Sequence, residues 1–195
     1  MGRITRESLL TLEAYARTRK EFRARLIAHK KTRTVRLGEH VTLIFEDELT
    51  MRYQVQEMLR VERIFEEEGI QDELDAYNPL VPDGTNWKAT MMLEYADENE
   101  RREALANLIG IEARTWIEVR GFPRVYAIAD EDLERETAEK TASVHFLRFE
   151  LEPPMIGALK AGAALAIGID HPRYMAQVSP VAADVSASLA RDLEA

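Results

Sequence analysis

Apolar positions recur every three to four residues over the first third of the chain and again at its end. Between these stretches they fall into short runs, several with alternation, punctuated by Gly and Pro, which predicts helices around a set of strands. The first helix is predicted from about Thr5 to about His29, with Thr5 as N-cap and Ile4 stapled onto Leu9. Leu9, Leu12, Tyr15, Ala16, Phe22, Leu26 and Ile27 fall on one stripe of that helix, and Arg19 and Arg23 fall inside it. A second helix is predicted from Asp47 or Glu48 to Glu68, stopped by Gly69 in the left-handed region. Its stripe is Met51, Val55, Met58, Leu59, Val61 and Phe65, with Glu62 in the middle and Gln54 at the edge. A carboxylate in such a stripe requires a partner, because burying it unpaired costs several kcal/mol. Arg19 and Arg23 are the nearest supply, so the two helices are expected to pack face to face with Glu62 buried against one of these arginines.

The two helices are separated by extended segments at Thr34–Leu37 and Val41–Phe45, joined through Gly38 and Glu39 as a β-hairpin. The second of these strands is apolar on both faces and is expected to be covered on both. Then come a short helix from about Gln71 to Tyr77, a Pro/Gly loop from Asn78 to Trp87, a strand Ala89–Tyr95 and a helix Asp97–Leu108 closed by Gly110. A hairpin of Thr115–Arg120 and Arg124–Ala129 turns at Gly121-Phe122-Pro123. The acidic stretch Asp130–Lys140 reads as a helix or a mobile connection. Val144–Leu151 is a strand with His145, Leu147, Phe149 and Leu151 on one side. A helix Pro153–Ala161, strands Ala164–Asp170 and Tyr174–Val178, and a helix Ala182–Leu193 complete the chain. Strands linked by tight turns, with helices bunched rather than alternating, define an α+β class. The architecture expected is a mostly antiparallel sheet packed with a long N-terminal helix pair and a C-terminal helix, in one domain over residues 1–195.

Composition narrows the chemistry. The 195 residues contain no cysteine, which excludes disulfides, thiol nucleophiles, cysteine zinc sites and cysteine-ligated iron–sulfur clusters. No apolar run approaches the roughly 18 residues that span a bilayer, and the amino terminus lacks a signal-peptide pattern, so a soluble cytoplasmic protein is expected. The net charge is −9, yet residues 1–36 hold eleven Lys and Arg against three Glu. That basic region is a candidate RNA-binding surface, although few aromatics are interleaved for stacking and the protein as a whole repels a polyanion. A solvated helix face is the simpler account, and nucleic acid is not the expected partner.

The four histidines, His29, His40, His145 and His171, show no paired-ligand spacing. His145 and His171 with a carboxylate are the only candidate metal set, and no cofactor is expected. A phosphate-binding glycine loop and a nucleophile elbow are both missing. The densest polar constellation lies on the second helix, where Glu48, Arg52, Tyr53, Gln56, Glu57 and Arg60 are spaced three and four apart. Together with Arg19, Arg23 and Glu62 from the opposed stripes, these form the candidate binding surface or buried polar network. Tyr77 and Trp87, which bracket the Pro/Gly loop, are a further candidate lining, with Trp87 more simply a core anchor.

The stretch Thr5, Leu9, Leu12, Tyr15, Arg19, Val35, Leu37, Gly38, Phe45-Glu46, then Tyr53-Gln54-Val55-Gln56-Glu57-Met58-Leu59-Arg60 with Glu62-Arg63, resembles a bacterial family of unknown function, DUF3501. The likeness continues through Glu73-Leu74, Tyr77-Asn78-Pro79, Pro82, Ala89-Thr90, Val144, Phe149, His171-Pro172, Tyr174, Leu189 and Asp192-Leu193, nearly the whole chain. The resemblance implies genes found beside those for rubrerythrin-like proteins and iron–sulfur oxidoreductases. It therefore implies an accessory protein with a partner from a redox system, rather than the redox protein itself. Three functional readings stand at this point: an accessory or binding protein, a metal-dependent enzyme using dispersed His and carboxylates, and an RNA-binding module.

Overall fold

A computed structural model describes residues 2–131, 135, 137 and 139–194. The chain opens with a 3-10 turn at Arg6–Ser8, in which the Thr5 amide donates to Ser8 Oγ at 3.1 Å. The first helix proper, α1 (Leu12–Lys30), starts later than Thr5 predicted: Thr11 is its N-cap, accepting from the Ala14 amide at 3.3 Å. Two Thr residues six apart each offer a cap, and the backbone uses both. The break places Ile4 and Leu9 together in the core beneath the following helices, both buried.

Strands β1 (Thr34–Leu37) and β2 (Val41–Glu46) form the expected hairpin, with Leu37 paired to Val41 across a three-residue turn. Gly38 takes a φ of +70° there. Helix α2 (Glu48–Glu62) begins at an Asp47 capping box and ends six residues earlier than predicted, because Arg63 supplies the left-handed stop. The predicted stop, Gly69, lies inside the next helix, α3 (Glu67–Tyr77). A 3-10 turn, Asn78–Leu80, leads to β3 (Asn86–Leu93), which starts three residues before the predicted strand. Then follow α4 (Glu98–Asn107), a 3-10 turn at Glu112–Arg114, β4 (Thr115–Val119), β5 (Val125–Tyr126), β6 (Ile128–Ala129), β7 (Val144–Glu150), α5 (Pro153–Lys160), β8 (Leu165–His171), β9 (Tyr174–Val178) and α6 (Ala183–Ala190). Much of the acidic stretch Asp130–Lys140, predicted as a helix or a connection, lies outside the described residues.

The protein is α+β with antiparallel strand pairing throughout the described ladders. Two sheets replace the single sheet expected. One has the order β1-β2-β3-β7-β6 and the other β5-β4-β8-β9. The predicted Thr115–Ala129 hairpin is antiparallel as far as Tyr126, but after Ala127 the chain pairs with β7 of the other sheet, so one extended segment serves both. The second seam is closed by Tyr174, whose hydroxyl donates to the Leu37 carbonyl at 2.6 Å and accepts from the His40 amide at 3.2 Å.

The main core fills the space between the sheets, with Leu43, Phe45, Trp87, Met91 and Phe149 from one and Ile117, Ile167 and Ile169 from the other. Alternation makes this possible: on β7, His145, Leu147 and Phe149 point inward as predicted, followed by Leu151 just beyond the strand. The expectation that β2 is covered on both faces also holds, since five of its six residues are buried. Helices α5 and α6 contribute Met155, Ile156, Leu159, Val185 and Leu189 to the same core. A second, smaller cluster joins Ile4 and Leu9 to Met51, Val55 and Leu59 of α2 and to Ile70 and Leu74 of α3. No helix of the described residues is long and apolar enough to cross a membrane.

Candidate functional site

Helices α1 and α2 pack face to face, as the opposed stripes required, but the acidic partner is Glu57 rather than Glu62. Arg19 Nε and Nη2 donate to the two Glu57 oxygens at 2.7 and 2.8 Å, a forked contact. The buried Tyr15 hydroxyl donates to Glu57 Oε1 at 2.6 Å, and Arg60 Nη2 reaches Oε2 at 3.4 Å. These donors, Arg19 foremost, hold the Glu57 carboxyl at about 2. Burial and the adjoining carboxylate push the Tyr15 phenol up from its ordinary value.

Glu62 is exposed, as are Val61 at 62% and Phe65 at 69%, so the C-terminal part of the predicted α2 stripe is wrong. The physical reason is the early stop at Arg63: Glu62 ends the helix, and Phe65 falls outside it. Arg23 is exposed as well and belongs to the outer face of α1, together with Ala16 and Ile27 from the predicted stripe. The true buried line of α2 is Met51, Val55, Gln56 and Leu59.

Gln56 is 1% exposed and is tied to the segment before α1. Its Oε1 accepts from the Leu10 amide at 2.7 Å, and its Nε2 donates to the Leu10 carbonyl at 3.3 Å. This fixes the floor of a cleft of about 430 Å³ between the two helices, walled by Thr18, Glu21, Phe22 and Arg25 of α1 and Arg52 of α2. Phe22 is gripped edge-on by Tyr53, with centroids 5.5 Å apart. Arg25 and Arg52 approach the Phe22 ring from 5.0 and 5.8 Å. Arg52 also lies 3.3 Å from Glu48, one turn back, while among the described residues no ion pair engages Arg25. Among the described residues, then, Arg52, Tyr53 and Gln56 converge on one cleft; Arg19, Glu57 and Arg60 form a polar cluster on the same helix pair; Arg23 and Glu62 join neither.

Two other polar clusters are structural in their surroundings. Arg33, read from sequence as part of the basic surface, is 1% exposed. Its Nε donates to the Phe45 carbonyl at 2.8 Å, Nη2 donates to the Glu46 carbonyl at 3.1 Å, and Nη1 and Nη2 form a fork onto Asp192. Asp47 Oδ2 lies 3.4 Å from Arg33 Nε and 2.5 Å from His29 Nε2. Thus the partner of Arg33 stands at the far end of the sequence, where no local spacing signals it.

His145 is fully buried; its Nδ1 lies 2.5 Å from Asp130 Oδ2, and its Nε2 lies 2.9 Å from the Thr141 hydroxyl and 3.1 Å from the Ala142 carbonyl. Glu112 Oε2 lies 3.7 Å from that Nε2. His171 has separate partners: Nε2 donates to the Ile109 carbonyl at 3.1 Å, and Nδ1 accepts from the Arg173 amide at 3.2 Å. Among the described residues no three His, Asp or Glu side chains are grouped as a metal ion requires. Trp87, at the end of the Pro/Gly loop, is a core residue whose Nε1 donates to the Leu189 carbonyl at 2.9 Å, and Tyr77 packs on the smaller cluster.

Fold and cleft together define an α+β protein in which a two-sheet core carries an N-terminal helical layer with its own polar cleft. The chain belongs to DUF3501, a family of proteins of unknown function, whose model matches residues 3–193. It is similar to a crystal structure described as that of a novel protein of unknown function from Burkholderia pseudomallei K96243, with 60% sequence identity and a TM-score of 0.94. The match covers 99% of this chain and 100% of that one. No curated protein matches the chain.

Proposed function

We propose that the protein is a binding module that docks an acidic segment of a partner protein along α1, with the α1–α2 cleft taking one of its carboxylates. The carrying observation is the pairing pattern of the arginines. The charge of Arg19 is cancelled by Glu57, that of Arg33 by Asp192 and that of Arg52 by Glu48, whereas Arg25, which converges with Arg52 on Phe22 at the cleft wall, has no ion pair among the described residues. Beside them Arg17, Lys20 and Arg23 are exposed on α1 and Lys31 is exposed just beyond its end, making a basic ridge on a protein of net charge −9. Such a ridge steers an acidic partner and fixes its register. The partner from a redox system that the family resemblance implies fits this reading as an acidic protein surface. The same ridge is the basis of the RNA alternative, but the aromatic residues of α1 favour protein: Tyr15 is buried and Phe22 is already flanked by two guanidiniums, which leaves no free ring for base stacking.

Fluorescence anisotropy tests the proposal, using a labelled twelve-residue glutamate-rich peptide and a labelled RNA of equal length. Peptide binding that weakens with salt and disappears in the Arg25→Glu/Arg52→Glu variant is expected. Tighter binding of the RNA, or peptide binding indifferent to both substitutions, would overturn the assignment.

A further inference from the structure

Alternation along β3 turns Trp87 and Ala89 into the core and Lys88 outward, onto the face of the sheet away from the second sheet. The register sets Lys88 in a cross-strand row between Glu46 of β2 and Arg148 of β7. A lysine between a carboxylate and the acid-rich end of β7 is expected to find a counterion, yet the carboxylates around it, Glu46, Asp83, Glu131 and Glu150, bond to other groups. Arg148 donates to both oxygens of Glu131 at 2.8 Å and to Glu150 at 2.5 Å. Glu46 Oε1 accepts the Thr90 hydroxyl at 2.7 Å, while its buried Oε2 has no hydrogen-bond partner among the described residues. Among the described residues Lys88 has no ion pair and no hydrogen bond, although its side chain is only partly exposed. It lies in a groove of about 420 Å³ walled by the apolar Pro79, Leu80 and Phe146 and by the charged Glu131 and Arg148. Burial, and then the neighbouring Arg148 charge, lower the ammonium's pKa from its ordinary value, against the opposing pull of Glu131, Asp83 and Glu150. An amine desolvated in such a groove beside a fixed guanidinium is held toward its neutral, nucleophilic form.

We propose that Lys88 is a carbonyl-capturing site, whose amine forms an imine with a small apolar aldehyde or ketone lodged in the groove. The Nζ lone pair forms the C–N bond while the carbonyl π electrons move to oxygen, which takes up a proton, giving a carbinolamine. Loss of the hydroxyl as water, with departure of the remaining N–H proton, leaves the imine. Amine and carbonyl become imine and water, with no change of oxidation state and no co-reactant. The site is separate from the α1–α2 cleft, and its test is independent of peptide binding.

Benzaldehyde serves as the probe on the full chain, with borohydride to reduce the imine and peptide mapping to score all six lysines. The Lys88 adduct is expected to form at least about tenfold faster than those at Lys20, Lys30, Lys31, Lys140 and Lys160 near neutral pH. Arg148→Met removes the neighbouring cation and frees Glu131 and Glu150 to pair with Lys88, so it is expected to slow Lys88 labelling by about fivefold or more. Lys88→Arg keeps the charge and eliminates the dominant adduct, with an unchanged circular dichroism spectrum as the check on folding. Even labelling of the six lysines, or a folded Arg148→Met variant labelled at the wild-type rate, would overturn the proposal. The wild-type ratio decides the matter by itself if that variant fails to fold.

Discussion

Replacing Arg33 by Met tests the largest charged group in the interior. The substitution keeps an unbranched apolar stem but deletes all donors at once. Asp192, with its side chain 3% exposed, loses both contacts of the fork; Asp47 loses its buried cation; and the Phe45 and Glu46 carbonyls lose their side-chain donors. Stranding a buried charge in this way costs about 3–5 kcal/mol. For a chain of this length each kcal/mol moves Tm by roughly 2–4 °C, so a drop on the order of 10 °C is expected. Urea unfolding followed by tryptophan fluorescence suits the assay, because Trp87 is bonded to Leu189, three residues before Asp192. The midpoint should fall with little change in slope. The combined Arg33→Met/Asp192→Leu variant should recover much of the loss, since the pair is then replaced rather than broken. A single-variant loss below about 1 kcal/mol, within the range of an exposed ion pair, would refute the view that this is a desolvated clamp.

Three further outcomes are expected. The Glu57 carboxyl is held below its unfolded value, so its contribution is fully present above about pH 4.5 and is lost as pH falls toward 2. Denaturant midpoints measured across that window should fall less steeply in Glu57→Gln than in wild type, and parallel curves would count against the cluster. Gly168→Ala should destabilise by about 1–3 kcal/mol in calorimetry, because a Cβ there meets the Trp116 ring at 2.4 Å and the Ala176 carbonyl oxygen at 2.9 Å; an unchanged Tm would mean that β8 and β9 can move apart. Tyr174→Phe deletes the hydroxyl shared by Leu37 and His40 and should speed amide exchange at His40 while the centres of β3 and β7 stay protected, an effect that exchange mass spectrometry resolves.

The strands were legible because a strand with one covered face writes that face into every second residue, as His145, Leu147 and Phe149 do on β7. The same rule applied to Trp87, Ala89 and Met91 would have put Trp87 and Lys88 in the strand, rather than leaving Lys88 between the loop that ends at Trp87 and the strand that starts at Ala89. The end of α2 was misread for a different reason. A left-handed stop is least costly at Gly, yet Arg63 takes that conformation, and Gly69 becomes helical with Ile64 against it. Once the helix ends at Glu62, its last turn no longer faces a partner, and the apolar spacing of Val61 and Phe65 carries no burial. The role of Arg33 was invisible from local pattern, because Asp192 lies 159 residues away. Helix–helix complementarity was half legible: an arginine in the α1 stripe did mark a carboxylate opposite, but the rotation of α2 about its axis decided which one.

Each of the two sheets has two outer strands, and outer strands are where a second polypeptide adds itself by backbone hydrogen bonding. Here β5 and β6 are consecutive parts of one segment, and β1 lies against β9 under the Tyr174 hydroxyl. Both seams thereby hinder strand addition. Under the proposed docking on α1, recognition runs through side chains and is tunable by single surface substitutions in a way that main-chain recognition is not.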